Sequence, residues 1–425
     1  MSYTAGSAGP GSITGIARRA AAGAYCAAPM LDLDFVRTAF PALASGFVFL
    51  DNAGGSQVLG NVADRVRDYL LSTSVQLGAS YPVSQAAGER VRAGVRAAAG
   101  LVGTDDPSEV VIGSSTTQLI TNLAAAMERG LSLGDEIIVT SGDHQANIGA
   151  WKRLARRGVV IKTWPIDPES LRLEARGLVP LLTDRTRLVT FTHVSNLVGS
   201  IHDVAALTRI VHDHGARVCV DAVAYAPHRA IDVRAWDVDY YVFSFYKVYG
   251  PHLAMLYAKR ELLEALDPLN DELAGMPLPY KLQPGNFSYE LTYGLTAIAD
   301  YLDALGGKLR AFEAIAAYEE QLAEQLLGFL RARRGVRIHG EPTADRARRV
   351  PTISFSVDGG SPEAIVRAVD GHGIGIRYGH FYSKGILRAL GIEPSDGVIR
   401  VSMVHYNTRA EIDRVIAALD AAIAP

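Results

Sequence analysis

"ARVCVDAV", residues 216–223, and "VDYYVFSFYKVYGPH", residues 238–252, decide how this chain folds. Each carries a run of β-branched and aromatic residues that reads as a strand. Asp221 sits inside the first run, among valines and alanines. Lys247 follows the second, directly before a Tyr-Gly-Pro break and flanked by Ser244 and Tyr246. A carboxylate among apolar residues carries an uncompensated charge unless a cation meets it. A lone lysine at a strand end is most often solvated. Two such residues at the ends of successive strands raise a different possibility, a shared site.

Outward from these stretches the same texture repeats. "EVVIGSS" (109–115), "DEIIVTSG" (135–142), "GVVIKTWPI" (158–166) and "RLVTFTHV" (187–194) are further short strands, and helical stretches such as "QLITNLAAAMERG" and "DVAALTRIVHDHG" lie between several of them. Strand alternating with helix predicts an α/β fold, a mostly parallel sheet with helices on both faces. Ligands on such sheets collect at the carboxyl ends of the strands. After about residue 295 the pattern changes to amphipathic helices, "GLTAIADYLDALGG" and "FEAIAAYEEQLAEQLLGFLRARRG", followed by "VPTISFSV" and "VIRVSMVHY". The predicted organisation is a large domain over 51–295 and a smaller C-terminal α+β domain over 296–425. Residues 31–50, with the helix near "DLDFVRTAF", are expected to pack with the small domain, and the Ala-, Gly- and Ser-rich residues 1–30 to form a disordered tail.

With 425 residues, 48% hydrophobic, and a formal charge of −3, the chain can bury a large core and shows no bias toward nucleic acid or an anionic membrane surface. Cys26 and Cys219 lie far apart and outside any metal-binding spacing, so neither a disulfide framework nor a metal site is expected. No apolar run reaches the roughly 20 residues of a membrane helix. The expectation is a soluble, cytoplasmic protein.

The strand ends carry a definite set of groups. "DHQAN" supplies His144, "THVSN" supplies Asn196, and Asp221 and Lys247 come from the two opening stretches. "GSSTTQ" places Ser115, Thr116 and Thr117 at a helix start, where hydroxyls and free N–H groups favour an anion. Pyridoxal 5'-phosphate needs this combination: a helix N-terminus for its phosphate, a buried carboxylate for its ring nitrogen and a lysine for its aldehyde. Each residue alone has a plainer reading, as a cap, a turn residue or a surface ion pair.

In order and spacing, "FLDNAGGSQ", "GSSTTQ", "DHQANIGAW", "THVSNLVGSIHDV", the Asp221 and Lys247 strands, "KLQPGNFSYE" and "VIRVSMVHYNT" resemble the class V aminotransferase family of fold type I, its cysteine desulfurase and selenocysteine lyase branch above all. The resemblance covers nearly all of residues 31–425. It implies that Lys247 bonds the cofactor and shuttles protons, that Asp221 pairs with the pyridine nitrogen, and that His144 stacks on the ring. Asn196 would lie near the cofactor's phenolic oxygen or the substrate. Ser115, Thr116, Thr117, Ser244 and Tyr246 would hold the phosphate. Arg400 would grip the substrate α-carboxylate, with Arg377 and Tyr382 also facing substrate. Asn286 would reach the phosphate of a partner subunit, which makes a homodimer with its site at the interface the expected assembly.

Two departures matter. "RYGHFYSKG" carries Tyr382 where a desulfurase has its persulfide-forming cysteine, and Ala224 replaces the usual glutamine after the Asp strand. Cysteine desulfuration is therefore not expected. The leading expectation is β-elimination from a cysteine S-conjugate or related β-substituted amino acid, in specialised metabolism. An aminotransferase is the alternative, with epimerisation or decarboxylating deamination open on the same residues, and a non-catalytic relative stands as a further class.

Overall fold

The computed structural model describes residues 31–273 and 275–423; the expected tail at 1–30, with Cys26, lies outside the described residues. A short strand β1 (Val48–Phe49) is followed by β2 (Val110–Gly113), β3 (Glu136–Thr140), β4 (Val160–Trp164), β5 (Thr186–Thr192), β6 (Arg217–Asp221), β7 (Tyr240–Ser244) and β8 (Ala254–Ala258). The last seven form one sheet in the order β2-β8-β7-β6-β5-β3-β4. From β7 to β4 all neighbours are parallel, while β8 runs antiparallel to both β7 and β2. The antiparallel strand escapes the alternating pattern because residues 248–253 are too few to hold a crossover helix.

Alternation along the central strands feeds two apolar layers. Val218, Val220, Tyr241 and Phe243 belong to one, and Cys219, Tyr240 and Val242 to the other. Helices cover both faces, so these strands read as continuous apolar runs, as buried parallel sheets do. Register then fixes what stands at the carboxyl edge: Thr192 is opposite Asp221, Asp221 opposite Val242, and Ser244 opposite Ala254, which also faces Gly113. The polar ends of β2, β5, β6 and β7 thus share one edge.

The C-terminal part adds β9 (Val336–His339), β10 (Thr352–Val357), β11 (Ile374–Gly375), β12 (Arg377–Gly379) and β13 (Val398–Ser402). Four of them make an antiparallel sheet in the order β12-β13-β10-β9. Its core is shared with the helices Lys308–Ala332, Pro362–Asp370 and Arg409–Ala422, the last opened by a reciprocal capping pair of Thr408 and Glu411. The N-terminal residues Val48 and Leu50 are buried in this same core, where β1 pairs with β11, and Arg37 reaches Glu411 at 2.9 Å. Among the described residues no helix is long and apolar enough to cross a membrane.

The short helix Lys384–Ala389 docks the C-terminal part onto the end of β3. A Cβ on Gly385 would stand 1.6 Å from the carbonyl oxygen of Ser141, so that backbone has no room to accommodate it. Overpacking of this kind costs about 1–3 kcal/mol. Gly385→Ala is expected to lower the thermal midpoint by several degrees, and an unchanged midpoint in calorimetry would contradict this packing.

Candidate active site

One pocket at the carboxyl edge of the large sheet is lined by Ser115, Thr116, Thr117, His144, Asn196, Asp221, Ala224, Ser244, Tyr246 and Lys247. Residues that lie up to 132 positions apart, from Ser115 to Lys247, are thereby gathered within one cavity. Ser115 caps the helix Thr116–Glu128, its hydroxyl accepting from the N–H of Gln118. The hydroxyls of Thr116 and Ser244 stand 2.8 Å apart, joining the helix start to the end of β7. Lys247 is the last residue of a single 3-10 turn, Phe245–Lys247, that follows β7 and buries the side chain.

Electrostatics distinguish the charged groups. Burial pushes the Lys247 amine down to about 8, helped by Arg400 and opposed by Asp221 and Asp51. Burial also raises the Asp221 carboxyl, against a hydrogen bond from the N–H of Val223 and the field of Lys247. His144 is driven down to about 4 by burial and by Lys247 and Arg400, so it is neutral at physiological pH. Its Nδ1 accepts from the N–H of Ala146 at 3.1 Å, which leaves the ring proton on Nε2. A neutral ring, a carboxyl short of positive charge, a buried amine and hydroxyls at a helix N-terminus form the donor set that suits pyridoxal phosphate.

Arg400, expected to grip the substrate, is not among the residues lining this pocket; it is buried on β13, and donates from Nη1 to the Asn196 carbonyl at 3.0 Å and from Nη2 to Asp51 at 2.7 Å. Arg377, its register partner on β12, reaches the other oxygen of Asp51 at 3.3 Å and is largely exposed. Asn196 is fully engaged by the following turn: its amide donates to the Phe381 carbonyl and its oxygen accepts from Ser383. Tyr382 is 62% exposed, with its ring centroid 5.2 Å from that of His144. Asn286 does not line this pocket; it lies in a separate groove with Gln76, Arg92 and Tyr289.

Three participants were not assigned from sequence. Asp51 lies in "FLDNAGG", whose pairing with arginines 326 and 349 positions away has no local signature. Phe381 lies next to Tyr382, and both adopt left-handed backbone, φ 48° and 60°. Asp143 precedes His144 and is wholly buried, its one oxygen bonded by Asn147 and the other without a partner among the described residues. A carboxyl directly before a site histidine was the available signal.

The aminotransferase class-V family model matches residues 48–415. The aminotransferase-like protein FGM3 of Gibberella zeae is 43% identical over 91% of this chain and 98% of its own length. The nonribosomal peptide synthetase-like enzyme fsqF of Aspergillus fumigatus is 39% identical over 91% of this chain, which spans 26% of that larger protein. Among solved structures, the Escherichia coli cysteine desulfurase CsdA in its S-sulfonic acid form superposes with a TM-score of 0.82 at 27% identity, covering 93% of this chain and 99% of that one.

Asp143 yields a pH prediction. Burial raises its carboxyl from 3.8 to about 7, with Asp221 adding to the rise and Thr140, Asn147 and Thr192 opposing it. The folded state therefore holds this proton where the unfolded chain releases it, so stability declines as pH climbs from about 4 to about 7 and is level above. Asp143→Asn removes that loss, on the order of a few kcal/mol. Urea unfolding at pH 5 and pH 8 is expected to show the variant gaining on the parent at the higher pH; a constant gap would refute the assignment.

Proposed function

The chain belongs to the class V aminotransferase family, whose members depend on pyridoxal 5'-phosphate, and from that premise we propose that it is a C–S lyase that expels the β-substituent of a cysteine S-conjugate or related amino acid. One observation carries the choice. By the motif resemblance Tyr382 takes the place of a desulfurase thiol, and Cys219, the one cysteine among the described residues, is buried with its thiol pushed far up by burial. Among the described residues, then, no thiolate is available to take sulfur as a persulfide. β-Elimination needs none.

Bound in the pocket, the cofactor supplies an electron sink for the bond at Cα. The residues do the rest. Arg400 exchanges its Asp51 partner for the substrate α-carboxylate and sets which Cα bond faces Lys247. Lys247 Nζ, lowered by burial to about 8, is closer than an ordinary lysine to the neutral form that takes the Cα proton. Asp221 would hold the proton of the ring nitrogen, and neutral His144 would lie against the ring without adding charge. Tyr382, its ring 5.2 Å from that of His144, gives its phenolic proton to the departing thiolate. The second reading, an aminotransferase, draws on the name of the Gibberella relative and uses the same residues, with the proton returned to a different carbon.

The deciding assay follows alanine, thiol, pyruvate and keto acid separately from free cysteine and from S-alkyl cysteines. Thiol plus pyruvate from the conjugates, with little alanine from cysteine, is expected. Stoichiometric alanine from cysteine sinks the lyase reading, and keto acid with no thiol selects the aminotransferase.

We also propose a homodimer, supported by the groove that holds Asn286 with the half-exposed Met276 and Tyr280 beside it, away from the pocket of its own chain. Mixing Lys247→Ala with Asn286→Ala protein is then expected to recover partial activity through hybrid sites. An active, cofactor-loaded monomer in sedimentation would rule the dimer requirement out.

A further inference from the structure

The Arg400 guanidinium is constrained more tightly than two hydrogen bonds explain. The ring of Phe381 covers one of its faces, with Cζ 3.8 Å from the ring centroid. The side chain of Arg400 is 3% exposed, and its Nε has no partner among the described residues. Asn196 ties both together: its backbone carbonyl accepts from Arg400 Nη1, and its side-chain amide donates to the Phe381 carbonyl at 2.9 Å. Phe381 in turn packs against the apolar cluster of Leu197, Ile386 and Val398. Left-handed backbone at two successive non-glycine residues is costly, roughly 1–3 kcal/mol each, and persists where surrounding contacts over-determine it. Here that conformation is what lays the ring on the cation.

We infer that Phe381 is a positioning residue that holds Arg400 edge-on and so makes the site selective for a planar carboxylate on Cα. The inference rests on the reading of Arg400 as the α-carboxylate grip. A ring across one face excludes water there and attracts the cation, an effect of about 0.5–2 kcal/mol in a desolvated setting. With that face covered, the plane of the guanidinium is fixed and so is the direction of its N–H edge, where two parallel N–H groups match the two oxygens of a carboxylate. An amine without that group gains nothing from the arrangement.

The test uses cofactor-loaded protein and two ligands, L-alanine, which has no leaving group on Cβ, and ethylamine, its counterpart without the carboxylate. Shifts of the cofactor absorbance report binding of each. Phe381→Leu is expected to weaken L-alanine about 2- to 30-fold and leave ethylamine unchanged, while Phe381→Tyr, which keeps the ring, retains the parent affinity for both. Arg400→Gln is expected to erase the preference for L-alanine. An intact preference in Arg400→Gln overturns the carboxylate role of Arg400 and the inference with it. A preference lost in Arg400→Gln yet intact in Phe381→Leu overturns the inference alone, as does equal weakening of both ligands in Phe381→Leu.

Discussion

The parallel pairing of β6 with β7 is the constraint on which the site depends. It sets Asp221 beside Val242, so that the chain leaving β7 two residues later delivers Ser244 and then Lys247 to the same edge. An unpaired carboxyl and an unpaired amine are both unfavourable in such an interior. The sheet tolerates them because both faces are packed and the two groups lie close enough for each to moderate the other's ionisation. A one-residue slip of β6 would turn Asp221 to the opposite layer and leave Lys247 without its counter-charge.

Around that pair the remaining groups are arranged by distance from the sheet. The side proposed for the phosphate is built by the large sheet itself, through the helix start at Thr116 and its contact with Ser244. The side proposed for the substrate is borrowed from elsewhere: Arg400 from β13, Asp51 from the N-terminal segment, and Phe381 and Tyr382 from the turn after β12. Asn196, on the loop after β5, is where the two halves meet.

That division decides what could be read from the sequence alone. Strands such as "EVVIGSS" and "RLVTFTHV" are legible because burial on both faces writes itself as a continuous apolar run, and Asp221 and Lys247 are legible because they interrupt such runs. The anion-favouring helix start at 115–117 is a local signal too. Asp51 carries no such mark. Its meaning arises only when β13 and the segment after β1 come together, a contact between positions 349 residues apart. Phe381 is equally silent, since a phenylalanine reads as a core residue until its ring is seen on a guanidinium. Asp143 is marked only by its position directly before His144, and nothing local says that its carboxyl will be buried. β8 was missed for a topological reason, its approach being too short for the crossover that the other strands use.

Asp51 has one further effect. By bridging Arg400 and Arg377 its carboxylate already occupies the place that an incoming anion would take. A free anion such as acetate or chloride offers a single point of attachment and meets arginines already engaged. On the proposed role of Arg400, an amino acid offers two, a carboxylate for Arg400 and an amino group for the Lys247 end of the pocket. On that proposal the built-in carboxylate screens the site against simple salts while leaving it open to zwitterions.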